Sequence, residues 1–270
     1  MKRIVLLALT LAGATGCFRT SGLNRYQPDM YSVDQEVGMG REMSKEIDKE
    51  VTLLRHHALT QLVQGIGQRL LAHAARPEFK LYPFTFRVVD SSEINAFSLP
   101  GGPVYLNMGL IEIAETEDEV AAVIAHEMSH VAARHATEQM TALQVSQLAM
   151  FVALSAVGGI SPAALEGTRL GYILGVLRYS RGMETEADSL GLELMDSAGY
   201  GRRGMLAMLR HIEDERRAEP VLLERLLSSH PMPDQRLAVV AAQVPAADED
   251  GGARRESAAF ARTKVLFVKD

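Results

Sequence analysis

Cysteine occurs once in the 270 residues, at Cys17, so no disulfide can form within the chain. Positive charge is not in excess: 28 Lys and Arg stand against 34 Asp and Glu, a net charge of −6. With no basic patch and no interleaving of aromatic and basic residues, the chain is not expected to bind nucleic acid. Apolar runs long enough to span a bilayer are also missing. Ile4–Ala12 is too short, and the stretch Leu143–Val157 is broken by Gln144, Ser146 and Gln147. That second stretch reads as a buried or membrane-facing helix, or as part of a lid. There is no internal repeat, and no helical-repeat domain fits after residue 245. What is present is a globular composition, 47% hydrophobic, on a length that fits one domain or one domain plus an appendage.

The N-terminus reads as a targeting segment. Lys2 and Arg3 precede the apolar Ile4–Ala12, and the small residues Ala14, Thr15 and Gly16 lead to Cys17. Residues 1–16 are therefore a secretory signal. Thr15-Gly16-Cys17 resembles a bacterial lipobox, although Ala14 stands where Leu is usual. A plain secreted chain, cut near Gly16 and carrying a free thiol, is the competing reading. As a lipoprotein, the chain would begin at a lipidated Cys17, with residues 17–33 as lipidated terminus and tether. Phe18 in place of Asp after the cysteine favours the outer membrane, facing the periplasm, and several acyl chains make such anchoring stable.

His126-Glu127-Met128-Ser129-His130 is an HExxH pentad inside a segment of helical character. Positions i and i+4 share a helix face, so both imidazoles can reach one metal ion. Glu127 beside them could take a proton from a water on that metal. The bland alternative is a surface helix with two histidines. The Ala, Val and Ile that surround the pentad argue for burial instead, and buried histidines beside a Glu need partners. His135 lies five positions past His130, about 140° further round the helix, and reads as a polar or surface residue, not a ligand.

A catalytic zinc takes about three protein ligands and keeps one position open. Candidates for the third lie in Arg181–Asp188, which leads into an amphipathic stretch. Glu184 and Asp188 are again i, i+4. One could bind metal while the other accepts a hydrogen bond from a ligand imidazole. Alone, this segment slightly favours an ordinary acidic first turn of a helix.

Along the chain, residues 34–76 read as helical, with one stripe of Val37, Met39, Met43, Ile47 and Val51 and another of Leu62, Val63, Ile66, Leu70 and Leu71, ended by Pro77. Phe84–Val89 alternates in strand fashion, and Ile94–Leu99 and Val104–Asn107 read as two further short strands around the turn Pro100–Pro103. Helices follow to about residue 245, residues 246–270 form a flexible acidic linker and tail, and Thr263–Val268 could be a terminal strand. The expected class is α+β, mostly α, with a small sheet before the HExxH helix. An edge strand there could hold an extended peptide.

Four motifs in order carry a resemblance: Asn95–Gly102, Glu117–Glu119 leading to the pentad, Glu184–Asp188, and Ser229-His230-Pro231 with Arg236 beyond. Residues 34–245 resemble the HtpX/BepA/Oma-like zinc metallopeptidases, metallopeptidase family forty-eight, in their soluble single-domain lipoprotein branch. The resemblance implies a zincin-like fold with one Zn2+ per chain held by His126, His130 and Glu184. It implies Glu127 as general base and acid, and Asp188 supporting a ligand. Asn95, Ala96, Phe97, Gly101 and Gly102 match the strand and turn beside the cleft. His230 matches a histidine that can approach the zinc and occupy its open position, although a Ser-His-Pro loop also suits capping or substrate contact. The implied activity is endopeptidase cleavage of misfolded or stalled envelope polypeptides. The rival reading is a chaperone-like outer-membrane assembly factor with latent proteolysis, associated with the assembly machinery.

Overall fold

The computed structural model describes residue 23 and residues 30–156, 179–231, 234–244 and 258–265. The expected signal, Cys17 and most of the tether lie outside these residues. The chain runs through α1 (Val33–Glu50), α2 (His57–His73), a 3-10 turn at Pro77–Leu81, β1 (Thr85–Val89), β2 (Ala96–Ser98), β3 (Pro103–Asn107), α3 (Met108–Ile113) and α4 (Glu117–Ala132). It continues as α5 (His135–Ala156), α6 (Arg181–Ser197), α7 (Arg203–Ala218), a 3-10 turn at Pro220–Leu223, α8 (Glu224–Ser229), α9 (Asp234–Gln243) and α10 (Ala258–Lys264). This is a mostly helical α+β fold in which the small sheet precedes the HExxH helix, as expected.

The sheet order is β1-β3-β2. β1 and β3 run parallel, from Thr85 opposite Pro103 to Val89 opposite Asn107. β2 is antiparallel to β3, with Ser98 opposite Val104, so its outer edge carries no described strand. The β2–β3 turn is tight because Gly101 adopts φ 78°, open to glycine at little cost. A side chain there would also strike Glu36 and Val37 of α1.

α4 is the centre of the molecule. Thr116 caps it by accepting the Glu119 amide, its first turn is acidic, and every residue from Glu117 to Ala132 is buried. Its Ala-rich surface lets neighbours approach closely: α6 and α7 pack against it most extensively, and α2 and β2 also touch it. Val120, Ile124 and Met128 are fully enclosed, each contributing roughly 1.5–3 kcal/mol by leaving water.

Two expectations change. Residues 30–32 are tied to the domain, since the Met30 amide donates to Thr141 Oγ1 and Ser32 caps α1. Thr263 and Lys264 belong to α10, not to a terminal strand; Phe260 of that helix is buried in the core, and Lys264 Nζ donates to the Glu112 carbonyl. The tail is thus docked there because an aromatic anchor finds apolar surface, while residues 266–270 lie outside the described region. The apolar stretch from Leu143 falls in α5, whose side chains are described only to Val145, and no described helix is long and apolar enough to cross a membrane.

Candidate active site

One turn of α4 separates His126 and His130, whose Nε2 atoms lie 3.0 Å apart with the rings edge to face. α6 brings Glu184 to them: Oε1 is 3.4 Å from His130 Nε2 and Oε2 is 3.5 Å from His126 Nε2. The close approach needs Gly191, where a Cβ would meet Met205 Cε at 2.8 Å and the His126 amide nitrogen at 3.3 Å. His230, at the end of α8, adds a fourth donor, its Nδ1 2.9 Å from Glu184 Oε1. One ligand atom from each of the four residues falls within 4.8 Å of the others.

The donor chemistry fits a divalent cation. All four side chains are buried, and imidazole nitrogens facing each other and a carboxylate need positive charge between them. Burial would push the Glu184 carboxyl up, but the charges of His230 and Arg236 outweigh it and hold it well below its ordinary range. Burial holds His130 well below its usual value, so it stays neutral with a lone pair to give. Burial alone would also lower His126, yet its bonds to Asp188 and Glu184 raise it to about 9. Without a cation a proton sits there instead. His230 Nε2 is buried with no hydrogen-bond partner.

A further layer orients these donors. Asp188 Oδ1 lies 2.9 Å from His126 Nδ1. Arg236 grips Asp188 with two bonds, at 2.8 and 2.7 Å, and places Nη1 2.7 Å from Glu184 Oε2. Burial pushes the Asp188 carboxyl up, but the Arg236 charge keeps it below its ordinary value. Tyr179 stacks on His130 at 3.8 Å between centroids. Burial, together with the nearby Glu127 and Glu184 charges, keeps its phenol protonated well above the ordinary range.

His135 is not at the surface. It is fully buried, with Nδ1 2.9 Å from His130 Nδ1 and Nε2 3.3 Å from Glu186 Oε2. The expectation failed because the helix is not continuous. α4 stops at Ala132, Arg134 turns the chain at φ 61°, and α5 begins at His135 on a new axis. Arg134 is itself held by the buried Glu36 carboxylate of α1.

Glu127 is almost wholly enclosed. Its Oε2 accepts a 2.8 Å hydrogen bond from Ser98 Oγ, and its Oε1 lies 3.5 Å from His230 Nε2. Beside it opens a recess of about 470 Å³, including its mouth, lined by His126, Glu127, Ala96 and apolar residues of α7. Ala96 and Ser98 therefore face α4. Phe97 points to the other face, stacked on Tyr105 at 4.8 Å. Asn95 is buried and its carbonyl accepts the Asn107 amide. Gly101 and Gly102 are buried in the turn, Gly101 against α1.

Ser98, Tyr179 and His135 are site residues that the sequence reading did not single out. Ser98 could have been found from the strand's alternation, which puts it on the same face as Ala96. His135 and Tyr179 gave no comparable signal, because the turn at Arg134 and the approach of residue 179 are tertiary.

Residues 57–244 match Peptidase family M48. The chain is 34% identical over 215 residues to the "Beta-barrel assembly-enhancing protease" of Yersinia pestis, covering 76% of this chain and 43% of the relative. It is also 34% identical over 216 residues to the protein of that name in Escherichia coli (strain K12), covering 77% and 43%. The "Mitochondrial metalloendopeptidase OMA1" of Schizosaccharomyces pombe is 32% identical over 183 residues, 66% of this chain and 52% of the relative. The chain thus spans about half or less of the length of these relatives. The match to the M48 family runs from α2 through the HExxH helix to the end of α9 and takes in the whole buried cluster, and on that ground the chain belongs to peptidase family M48.

Proposed function

We propose that this chain is a zinc-dependent endopeptidase of the bacterial cell envelope, with one Zn2+ held by His126, His130 and Glu184. The observation that carries the reading is the convergence of those three donors with Glu127 beside them. A zinc ion bound there supplies Lewis acidity, polarising the scissile carbonyl and making water a competent nucleophile near neutral pH.

The chain's own residues do the rest. Glu127 Oε1 takes one proton from the attacking water as its oxygen bonds to the carbonyl carbon. The carbon–nitrogen bond then breaks, and the same carboxyl returns that proton to the leaving amine. Asp188 and His135 hold the outer nitrogens of His126 and His130, which sets the tautomer of each ring. β2, with an edge free of any described strand, offers main-chain groups to an extended substrate along Asn95–Phe97.

Misfolded or stalled envelope polypeptides are the proposed substrates. Two relatives bear the name "Beta-barrel assembly-enhancing protease", and this supports an association with outer-membrane assembly. Lipidation at Cys17 would anchor the chain to that membrane from the periplasmic side, which agrees with the leader residues.

The test is digestion of casein or a peptide by the form beginning at residue 18, with and without a chelator. Glu127→Gln should lower the rate by roughly 10²–10⁴-fold and keep its metal. Absence of chelator-sensitive cleavage in wild type and in His230→Ala alike would sink the peptidase reading. A second reading, a chaperone-like factor with latent proteolysis, is favoured by one contact. His230 already lies against Glu184 and Glu127, where an open position would be needed. Cleavage seen only in His230→Ala would establish that latch, and full complementation of a deletion by Glu127→Gln would favour binding over cleavage as the main role.

A further inference from the structure

A glutamate carboxylate rotates about a broad, roughly two-fold terminal torsion, so burial alone does not decide which oxygen faces a reacting water. In this chain something does decide it. Ser98 Oγ donates to Glu127 Oε2 at 2.8 Å, with Ser98 2% and Glu127 1% exposed. Oε1 is left as the oxygen turned toward the donor cluster, on the side of His230 Nε2. Ser98 itself is held firmly. It sits in a strand paired with Val104, on the same face as Ala96. Among the described residues its hydroxyl caps no helix and closes no turn.

We propose that Ser98 is a positioning residue, whose hydroxyl locks the Glu127 carboxylate so that Oε1 alone exchanges the proton. This rests on the peptidase reading above and deepens it. Because Ser98 belongs to β2, the strand that would align a peptide also aims the base. The geometry of substrate and base is thereby set by one piece of backbone. A bond from a neutral hydroxyl to a buried carboxylate is among the stronger hydrogen bonds in a protein. Losing it would free the carboxylate to rotate without removing any group that binds metal or peptide.

The experiment uses the full chain loaded with zinc and a fluorogenic peptide, comparing wild type with Ser98→Ala, Ser98→Val and Ser98→Thr. Val and Thr have nearly the same shape and differ in a methyl against a hydroxyl, so crowding affects both alike. Ala adds no volume and guards against misfolding of the larger pair. The expected result is a fall in kcat of roughly ten- to a hundredfold in Ala and Val, with KM and zinc content unchanged. Thr should recover most of the loss. Wild-type kcat in Ser98→Ala, equal losses in Thr and Val, or a loss confined to KM or to zinc content would each overturn the proposal. If only His230→Ala turns over, the same Ser98 comparison is made in that background; if neither it nor the wild-type chain shows chelator-sensitive turnover, the peptidase reading falls and this inference falls with it.

Discussion

His135 Nδ1 lies 2.9 Å from His130 Nδ1, and the far nitrogen of His135 faces Glu186 across 3.3 Å. One proton must be shared along each contact. For His130 to offer its Nε2 lone pair to a cation, its Nδ1 must carry the hydrogen and His135 Nδ1 must accept it. His135 Nε2 then carries a hydrogen toward Glu186. The tautomer of the inner ring is set two side chains away.

Replacing His135 by Phe keeps the aromatic bulk and removes the acceptor. The expected outcome is a drop in zinc affinity of roughly 10–100-fold, read by competition with a chromophoric chelator. An unchanged affinity would show that His130 does not depend on this contact.

Arg236 is 4% exposed and neutralises two buried carboxylates, Asp188 and Glu184. Arg236→Met leaves both without that partner. Breaking a buried ion pair from one side costs about 3–5 kcal/mol, so urea unfolding of the chelated chain should shift by that order. Added zinc should restore part of the loss, because a cation at the cluster compensates Glu184.

The chelated chain should also show a stability maximum near pH 6.5, the ordinary histidine value. His126 is raised to about 9 when folded. Its contribution is complete below 6.5 and is lost as pH rises through about 9, an effect on the order of 3 kcal/mol. His130 shifts the other way. It stays neutral in the fold, so the unfolded chain gains a proton that the folded chain refuses as pH falls below 6.5. Glu184 and Asp188, both depressed, add to the loss at more acid pH, as pH falls through their folded values. Thermal melts across pH 5–9, with and without zinc, test this. A flat profile between 6.5 and 9 in the chelated sample would contradict the His126 assignment.

Gly191→Val places branched carbons where α6 meets the His126 backbone. Met205 can yield, but the α4 main chain cannot. Overpacking of this kind costs about 1–3 kcal/mol and should move Glu184 and Asp188 away from the histidines, lowering zinc affinity together with stability. Gly191→Ala should be milder, since its single carbon meets chiefly the flexible Met205 tip.

Much of this arrangement was legible without a structure. The i, i+4 spacing of His126 and His130 in an Ala- and Val-rich run identifies a buried helix with two inward imidazoles, and α4 is that helix. The alternation in Phe84–Val89 identifies a strand, and the glycines at 101 and 102 the turn between the two short strands that follow. The acids at 184 and 188 remained ambiguous locally, because a helix start rich in acids looks the same with or without a partner. At the C-terminus, α10 takes in Thr263 and Lys264 because Phe260 finds a place in the core, and residues 266–268 of the expected strand lie outside the described residues.

The sequence by itself determined which groups share a face, since helix and strand periods act over a few residues and need nothing from the rest of the chain. Only the tertiary structure decided which faces meet. Gly191 lets α6 close on α4, the turn at Arg134 sends His135 back behind His130, and the β2–β3 hairpin carries Ser98 to Glu127. Each is a contact between residues held by different elements, and its geometry follows from packing, for which local spacing carries no code.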